Sequence, residues 1–392
     1  MRLTLNRRGI QKGFVMTIKA FAFSVQQHLQ SRTSYSFKRT HIFEILAASF
    51  GFKSYAALRS ESVFMLRETI TKSDIYNNST IRQRCVDLGY LPATAEVASS
   101  ELPVFLAQHR IDLISFSELV DELRGESSFS DGDEDDQLDE NGSDTFDQDL
   151  TEAHDEPITP FLLDGLESAA GKGIALAHYA LALIYDPNEG DNELGGDGSY
   201  WHTQAQQGRV LTGVQKEWAD GYAKQLAVAE KYAFHLREAA RMGNKLAQLD
   251  LAERFDDPSF FEQLDGLTID NPIRVAEIAE RLGRLKDAKQ WLTIAAESGA
   301  IEAMRQLIDE YDHGDLQQCW KWLYLAQILG TDLAEDDNHA INEEGSSYDD
   351  DVGGPVYVDG FEGIKLAPLS DKQDAAARQA AEVLAKRIFR LS

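Results

Sequence analysis

Two stretches and a handful of single residues have the types and spacing that chemistry needs. GLESAAGKG (165–173) pairs glycines with a lysine, as a phosphate-binding loop does. That loop requires four residues between its glycines and Ser or Thr after the lysine. Here five residues separate Gly165 from Gly171, and Gly173 follows Lys172. DGDEDDQLDENG (131–142) places Asp131, Asp133 and Asp135 at the first three ligand positions of a calcium loop. Its sixth position is Asp136 where glycine is needed, and its twelfth is Gly142 where glutamate is needed. The histidines are scattered, with no HExxH pair, and no GxSxG occurs. Cys85 and Cys319 have no histidine frame beside them, and Cys319 falls at the helix-packing position matched by Ala288. With 66 carboxylates in the chain, spacing alone nominates no catalytic pair. These residues predict a protein that is not an enzyme and carries no metal and no cofactor.

A different pattern does repeat. Trp291, Ala295 and Gly299 stand four apart, and Trp322, Ala326 and Gly330 keep the same spacing. SAAGKGIALAHYALALIYD, EAARMGNKLAQLDLAERFDD and IAAESGAIEAMRQLIDEYDH align with them. In that register fall Ala169, Ala239 and Ala295, then Gly173, Gly243 and Gly299, then Tyr185, Phe255 and Tyr311, each followed by Asp. The alanine anchors are 70 and 56 residues apart; Ala205 divides the first interval into 36 and 34, and Ala326 follows Ala295 after 31. A period in the thirties predicts stacked helical hairpins. The alanine lets a neighbouring helix approach, the glycine ends its helix at positive φ, and the tryptophans pack. His178 and His235 lie inside such helices.

Composition divides the chain further. Residues 1–60 hold ten Lys/Arg against Glu44 alone, whereas 126–156 hold fourteen acids and no base and 331–351 hold nine and none. The net charge of −28 therefore sits largely in two runs, which argues against general nucleic-acid binding. Met16 opens a clean helical pattern, so 1–15 are read as a disordered or mis-assigned start. A small helical domain spans 16–124, with helices expected at 79–88, 94–110 and 117–124, Gly51 ending one helix and Ser54 capping the next. Residues 125–158 read as an acidic disordered linker at which proteolysis leaves two folded fragments. Repeats occupy 159–330, interrupted by DPNEGDNELGGDGS. An acidic loop with a short extended segment follows at 331–369. A capping helix closes the chain at 370–392, with Ser370 and Gln373 in capping-box positions. Two lone cysteines and no long apolar run predict a cytoplasmic, membrane-free protein.

The register of 161–330 resembles Sel-one-like repeats, relatives of tetratricopeptide repeats, carried by AKQWLTIAAESGAIEAMRQLIDEY, WKWLYLAQILG and the weaker HYALALIYD and EAARMGNKLAQLDLAERF. SYSFKRTHIFEILAASFGFKSYAALR, within 18–60, is similar to the small glyoxalase-related domain of bacterial proteins. The fold expectation is all-α: a small helical domain, then a right-handed α-α superhelix. The resemblance implies a scaffold that binds a peptide or protein partner on its concave face, at Tyr179, Leu183, Leu249, Glu253, Arg305 and Asp309. An alternative reading makes the basic unit a nucleic-acid contact through Lys38, Arg39, Lys53 and Arg59.

Overall fold

The computed structural model describes residues 4–6, 16–67, 76–125, 155–187, 197–262, 269, 271–342 and 356–390. The calcium-loop-like stretch and nearly all of the acidic linker, most of the start segment, most of the DPNEGDNELGGDGS interruption and the acidic residues 343–351 lie outside the described residues. The described residues are mostly helical, with short strands in three two-stranded sheets. The chain forms two compact units, Met1–Leu251 and Ala252–Ser392.

In the first unit, β1 (Thr4–Asn6) is followed by α1 (Ile18–Thr33), α2 (Arg39–Ser49) and α3 (Tyr55–Glu61), which is capped by Ser54. Next come β2 (Ser62–Leu66), α4 (Asn78–Asp87), α5 (Pro92–Gln108), β3 (Ile111–Ser115) and α6 (Phe116–Arg124). After the acidic run come β4 (Asp155–Pro157), which pairs in parallel with β1, and then α7 (Pro160–Ala170) and α8 (Ala175–Ile184). The unit continues through α9 (Asp197–Gln206) and α10 (Val214–Arg241) into α11 (Lys245–Phe255), within which the boundary at Leu251 falls.

The described residues are consistent with the all-α expectation, and within this helical unit β2 and β3 pair antiparallel. Strands normally announce themselves by alternation, but β2 is buried on both faces. Phe64 packs with Phe21 and Phe161 in a core built mainly from α1, α2, α4 and α5, while Val63 and Met65 join a second core with α6, α7, α8 and α10. A strand between two cores reads as a continuous apolar run, and VFML (63–66) is one.

α7 explains Gly165 without phosphate. A Cβ there would stand 2.3 Å from Val63 Cγ2 and 3.3 Å from Ile18 Cδ1. The helix can lie against β2 only because that atom is missing. Asp164 accepts the Ile18 amide at 2.8 Å, and Arg59 Nη2 donates to Ser168 Oγ at 3.1 Å. The first residues of the proposed repeat region are thus built into the N-terminal core, so the division by composition at 125–158 is not the division by packing. Gly165→Ala is expected to cost about 1–3 kcal/mol, because stiff, buried Val63 must shift. A denaturant midpoint equal to wild type would refute the close approach.

The second unit holds a 3-10 turn at Pro258–Glu262, then α12 (Pro272–Arg281), α13 (Leu285–Glu297), α14 (Ile301–Gln306), a π-helical turn at Leu307–Tyr311 and α15 (Leu316–Ile328). β5 (His339–Ile341) and β6 (Tyr357–Asp359) pair antiparallel. α16 (Asp371–Ile388) begins with the Ser370/Gln373 capping box and packs on α15, burying Ala377, Ala381 and Ala385. α12, capped by Asn271 with Pro272 at its start, fills part of the 56-residue gap that the register left open.

Candidate functional site

The repeated alanine and glycine have a shared local cause. The amide of Ile174 reaches the Ala169 carbonyl, that of Asn244 reaches Ala239, that of Ala300 reaches Ala295, and that of Thr331 reaches Ala326. Each bond spans the left-handed glycine: Gly173 at φ +84°, Gly243 at +88°, Gly299 at +108° and Gly330 at +102°. This is the Schellman helix ending, with alanine as the acceptor three residues inside the helix cap. The same ending occurs at Ala279/Gly283 and, outside the repeat register, at Ala47/Gly51. At Gly208 the acceptor is Gln204, which accounts for the shifted spacing after Ala205. All four register alanines are buried, as are Trp291 and Trp322.

The six partner-binding positions are not brought together as one exposed face. Tyr179 and Leu249 are buried, which corrects their assignment to an open concave surface. The reason is that α6, which comes from outside the repeat register, packs on α8. Arg124 Nη1 donates to the Tyr179 hydroxyl at 2.5 Å, and that hydroxyl donates to Asp250 Oδ2 at 2.6 Å. Burial, with Asp250 next, pushes the Tyr179 hydroxyl far above the usual tyrosine range, so it stays protonated. On α11 every residue from Ala247 to Ala252 is buried, so Leu249 has no solvent face. Leu183 is half-buried. Glu253 is held by the Arg274 guanidinium. Asp309 is exposed, and Arg305 lies over the Phe361 ring, 4.7 Å from its centroid, while donating to the Glu362 carbonyl at 3.2 Å.

The basic residues assigned to nucleic acid are partly engaged by the fold. Arg39 donates to the Lys19 carbonyl at 2.7 Å and lies over Phe23, and Arg59 binds Ser168. Lys38 is the N-cap residue of α2, its amide donating to the Tyr90 hydroxyl, and Lys53 gives its carbonyl to Arg84.

Sequence spacing gave no sign of one further cluster. His178 and His235 are 57 apart, yet their Nδ1 atoms meet at 2.9 Å between α8 and α10. One ring nitrogen gives its proton to the other, and the tautomer of each ring decides which. Tyr185 stacks on His235, Lys231 lies over Tyr185, and Glu238 and Arg241 flank His178. Burial, then His178 and Lys231, pushes His235 down to about 4, and burial lowers His178 as well. Both rings are thus held neutral. Their contribution is complete above about 6.5, the unfolded value, and is lost as pH falls toward the folded one. For His235 a shift of that size is worth ~3 kcal/mol, which solvent screening of a half-buried ring reduces to about 1–2 kcal/mol. Urea midpoints of wild type and His235→Gln are expected to diverge above about pH 6.5 and converge near pH 4. A constant difference would sink this account.

Both cysteines are buried, and burial pushes Cys85 up to about 12 and Cys319 up to about 11, so neither is a thiolate near neutral pH. The void among Ile18, Tyr55, Leu58 and Gly165 has a volume of about 10 Å³, room for one water. Among the described residues no group of three or more His, Cys, Asp or Glu is placed to hold a metal, and no helix is long and apolar enough to cross a membrane. No family model, curated protein or solved structure matches the chain.

Proposed function

We propose that the chain is a helical-repeat interaction protein of the Sel-one-like kind, with a superhelical arrangement of 159–330, that binds a protein or peptide partner. The observation that carries this reading is the recurrence of one helix ending at Ala169/Gly173, Ala239/Gly243, Ala295/Gly299 and Ala326/Gly330, each with its alanine buried. A unit that spends its small residues on helix packing and its turns on glycine is an assembly of hairpins, and such assemblies work through what they display. The polar groups drawn inside are consistent with this. The Arg124–Tyr179–Asp250 chain and the His178–His235 pair each tie helices together. The partner face, however, is not the row first expected, since two of its six residues are interior. Of that row Arg305 and Asp309 remain near the surface of the second unit, and Arg305 braces the segment after β6.

The test is affinity capture with the full chain at physiological salt. One protein retained in near-stoichiometric amount, and competed off by untagged chain, is the expected result. A folded, immobilised chain that retains none would overturn the reading.

A further inference from the structure

The second unit carries an open β-ribbon. β5 and β6 pair only with each other among the described residues, so the outer edge of β6 offers its backbone groups to solvent. Exposed apolar side chains crowd that edge: Val356 at 53%, Tyr357 at 50%, Val358 at 73% and Phe361 at 59% of full exposure. Isolated exposed apolar residues are ordinary, but four within six positions on an unpaired strand and its turn are not.

The ribbon is also held in place. Asp337 N donates to the Phe361 carbonyl at 2.9 Å, Ile364 N to the Leu333 carbonyl at 2.8 Å, and Gly363 N to Asp336 Oδ1 at 2.8 Å. Gly360 sits at φ +114°, and a Cβ there would stand 1.6 Å from the Asp337 carbonyl oxygen. Leu333 is buried beneath, and Arg305 clamps Phe361 and Glu362 from α14. An edge pre-ordered in this way does not charge a ligand the entropy of forming it.

Charge selects the occupant. Asp332, Glu335, Asp336, Asp337, Asp359 and Glu362 are all exposed, and none forms an ion pair among the described residues. From Thr331 to Ile364 the sequence holds no Lys or Arg. A second copy of the ribbon would bring carboxylates against carboxylates. We propose that the free edge of β6 takes an extended, lysine- or arginine-rich segment of a protein partner as an added strand, its backbone pairing with β6, its apolar residues on Val356 and Val358, and its cations among the six carboxylates. The inference rests on the interaction-protein reading and names the chemistry of the partner.

The probe is a fluorescent peptide of about ten alternating Lys and Val residues, against a control of the same charge interrupted by proline, which cannot extend a sheet. Anisotropy with the full chain is expected to show the Lys-Val peptide binding at least about tenfold tighter than the proline control, and weakening from about 50 to about 300 mM salt. Val358→Lys and Glu335→Lys, both at exposed positions, are each expected to weaken it by about tenfold while circular dichroism is unchanged. Equal affinity for both peptides, or no effect of Val358→Lys, overturns the proposal. So does a dimer in light scattering that Val358→Lys dissolves, since a second copy then holds the edge. If a captured partner survives Val358→Lys undiminished, the scaffold reading stands and the ribbon assignment alone falls.

Discussion

Trp322→Ala is expected to cost the second unit about 3–5 kcal/mol, the range for deleting a buried tryptophan from a core that relaxes only in part. Trp322 is 1% exposed, and its indole N–H donates to Asp312 Oδ2 at 2.9 Å. Asp312 is itself buried; Lys289 Nζ reaches its other oxygen at 2.6 Å, and the Cys319 thiol donates to its carbonyl. Removing the indole therefore opens a cavity and also takes a donor from a buried carboxylate. Trp322→Phe keeps most of the ring and is expected to cost about 1–2 kcal/mol, the hydrogen-bond part. Trp291 gives the internal control. It has the same spacing to alanine and glycine, packs 6.2 Å from the Phe260 ring and is 3% exposed. Its buried N–H, however, has no acceptor among the described residues. Trp291→Phe removes an unsatisfied donor, so it is expected to cost less than Trp322→Phe. Hydrogen exchange of peptides from 285–297 and 316–328 reads the two separately. Equal costs for the two Phe variants would refute the distinction.

That difference shows where sequence reasoning stops. The Trp, Ala and Gly of both segments were legible because a helix ending is local: the acceptor, the left-handed glycine and the closing amide lie within six residues. The N-caps at Ser54 and Ser370 were legible for the same reason. What the indole nitrogen meets is not local, and nothing near 291 or 322 distinguishes the two. β2 was hidden because a strand buried on both faces loses its period of two. The partner row failed through Tyr179, and the reason is again long-range. A repeat register assumes that one face of each hairpin stays open, and α6 lies outside any register that begins at 161. The histidine pair, too, is assembled from residues too far apart for spacing to reveal. By contrast the short extended segment within 331–369 was visible, though not the backbone clamp at Gly360.

Asp250→Ala is expected to cost the first unit about 3–5 kcal/mol, because it takes one carboxylate from beside a nearly buried guanidinium and the acceptor from the buried Tyr179 hydroxyl. The Arg124 and Asp250 side chains are 13% and 11% exposed, their nearest charged atoms are 3.8 Å apart, and the Tyr179 hydroxyl bridges them. Tyr179→Phe deletes the bridge and leaves both charges, which sets its cost lower, at about 1–3 kcal/mol. Replacing all three together, as Arg124→Met, Tyr179→Phe and Asp250→Leu, is expected to cost less than Asp250→Ala alone, since the three hydrogen-bonded groups leave together. The triad's part is thus to fix which surface of α8 receives α6. That part can be read directly, because Arg124 precedes the acidic run while Tyr179 and Asp250 follow it. Residues 1–125 and 155–392, co-expressed as separate chains, are expected to co-purify through the cores that Phe161, Val63 and this triad share. Asp250→Ala is expected to weaken that association by roughly 10²–10⁴-fold, the equivalent of its stability cost. Halves that never associate, or a variant that associates as tightly as wild type, would show that the triad does not join the two sides of the run.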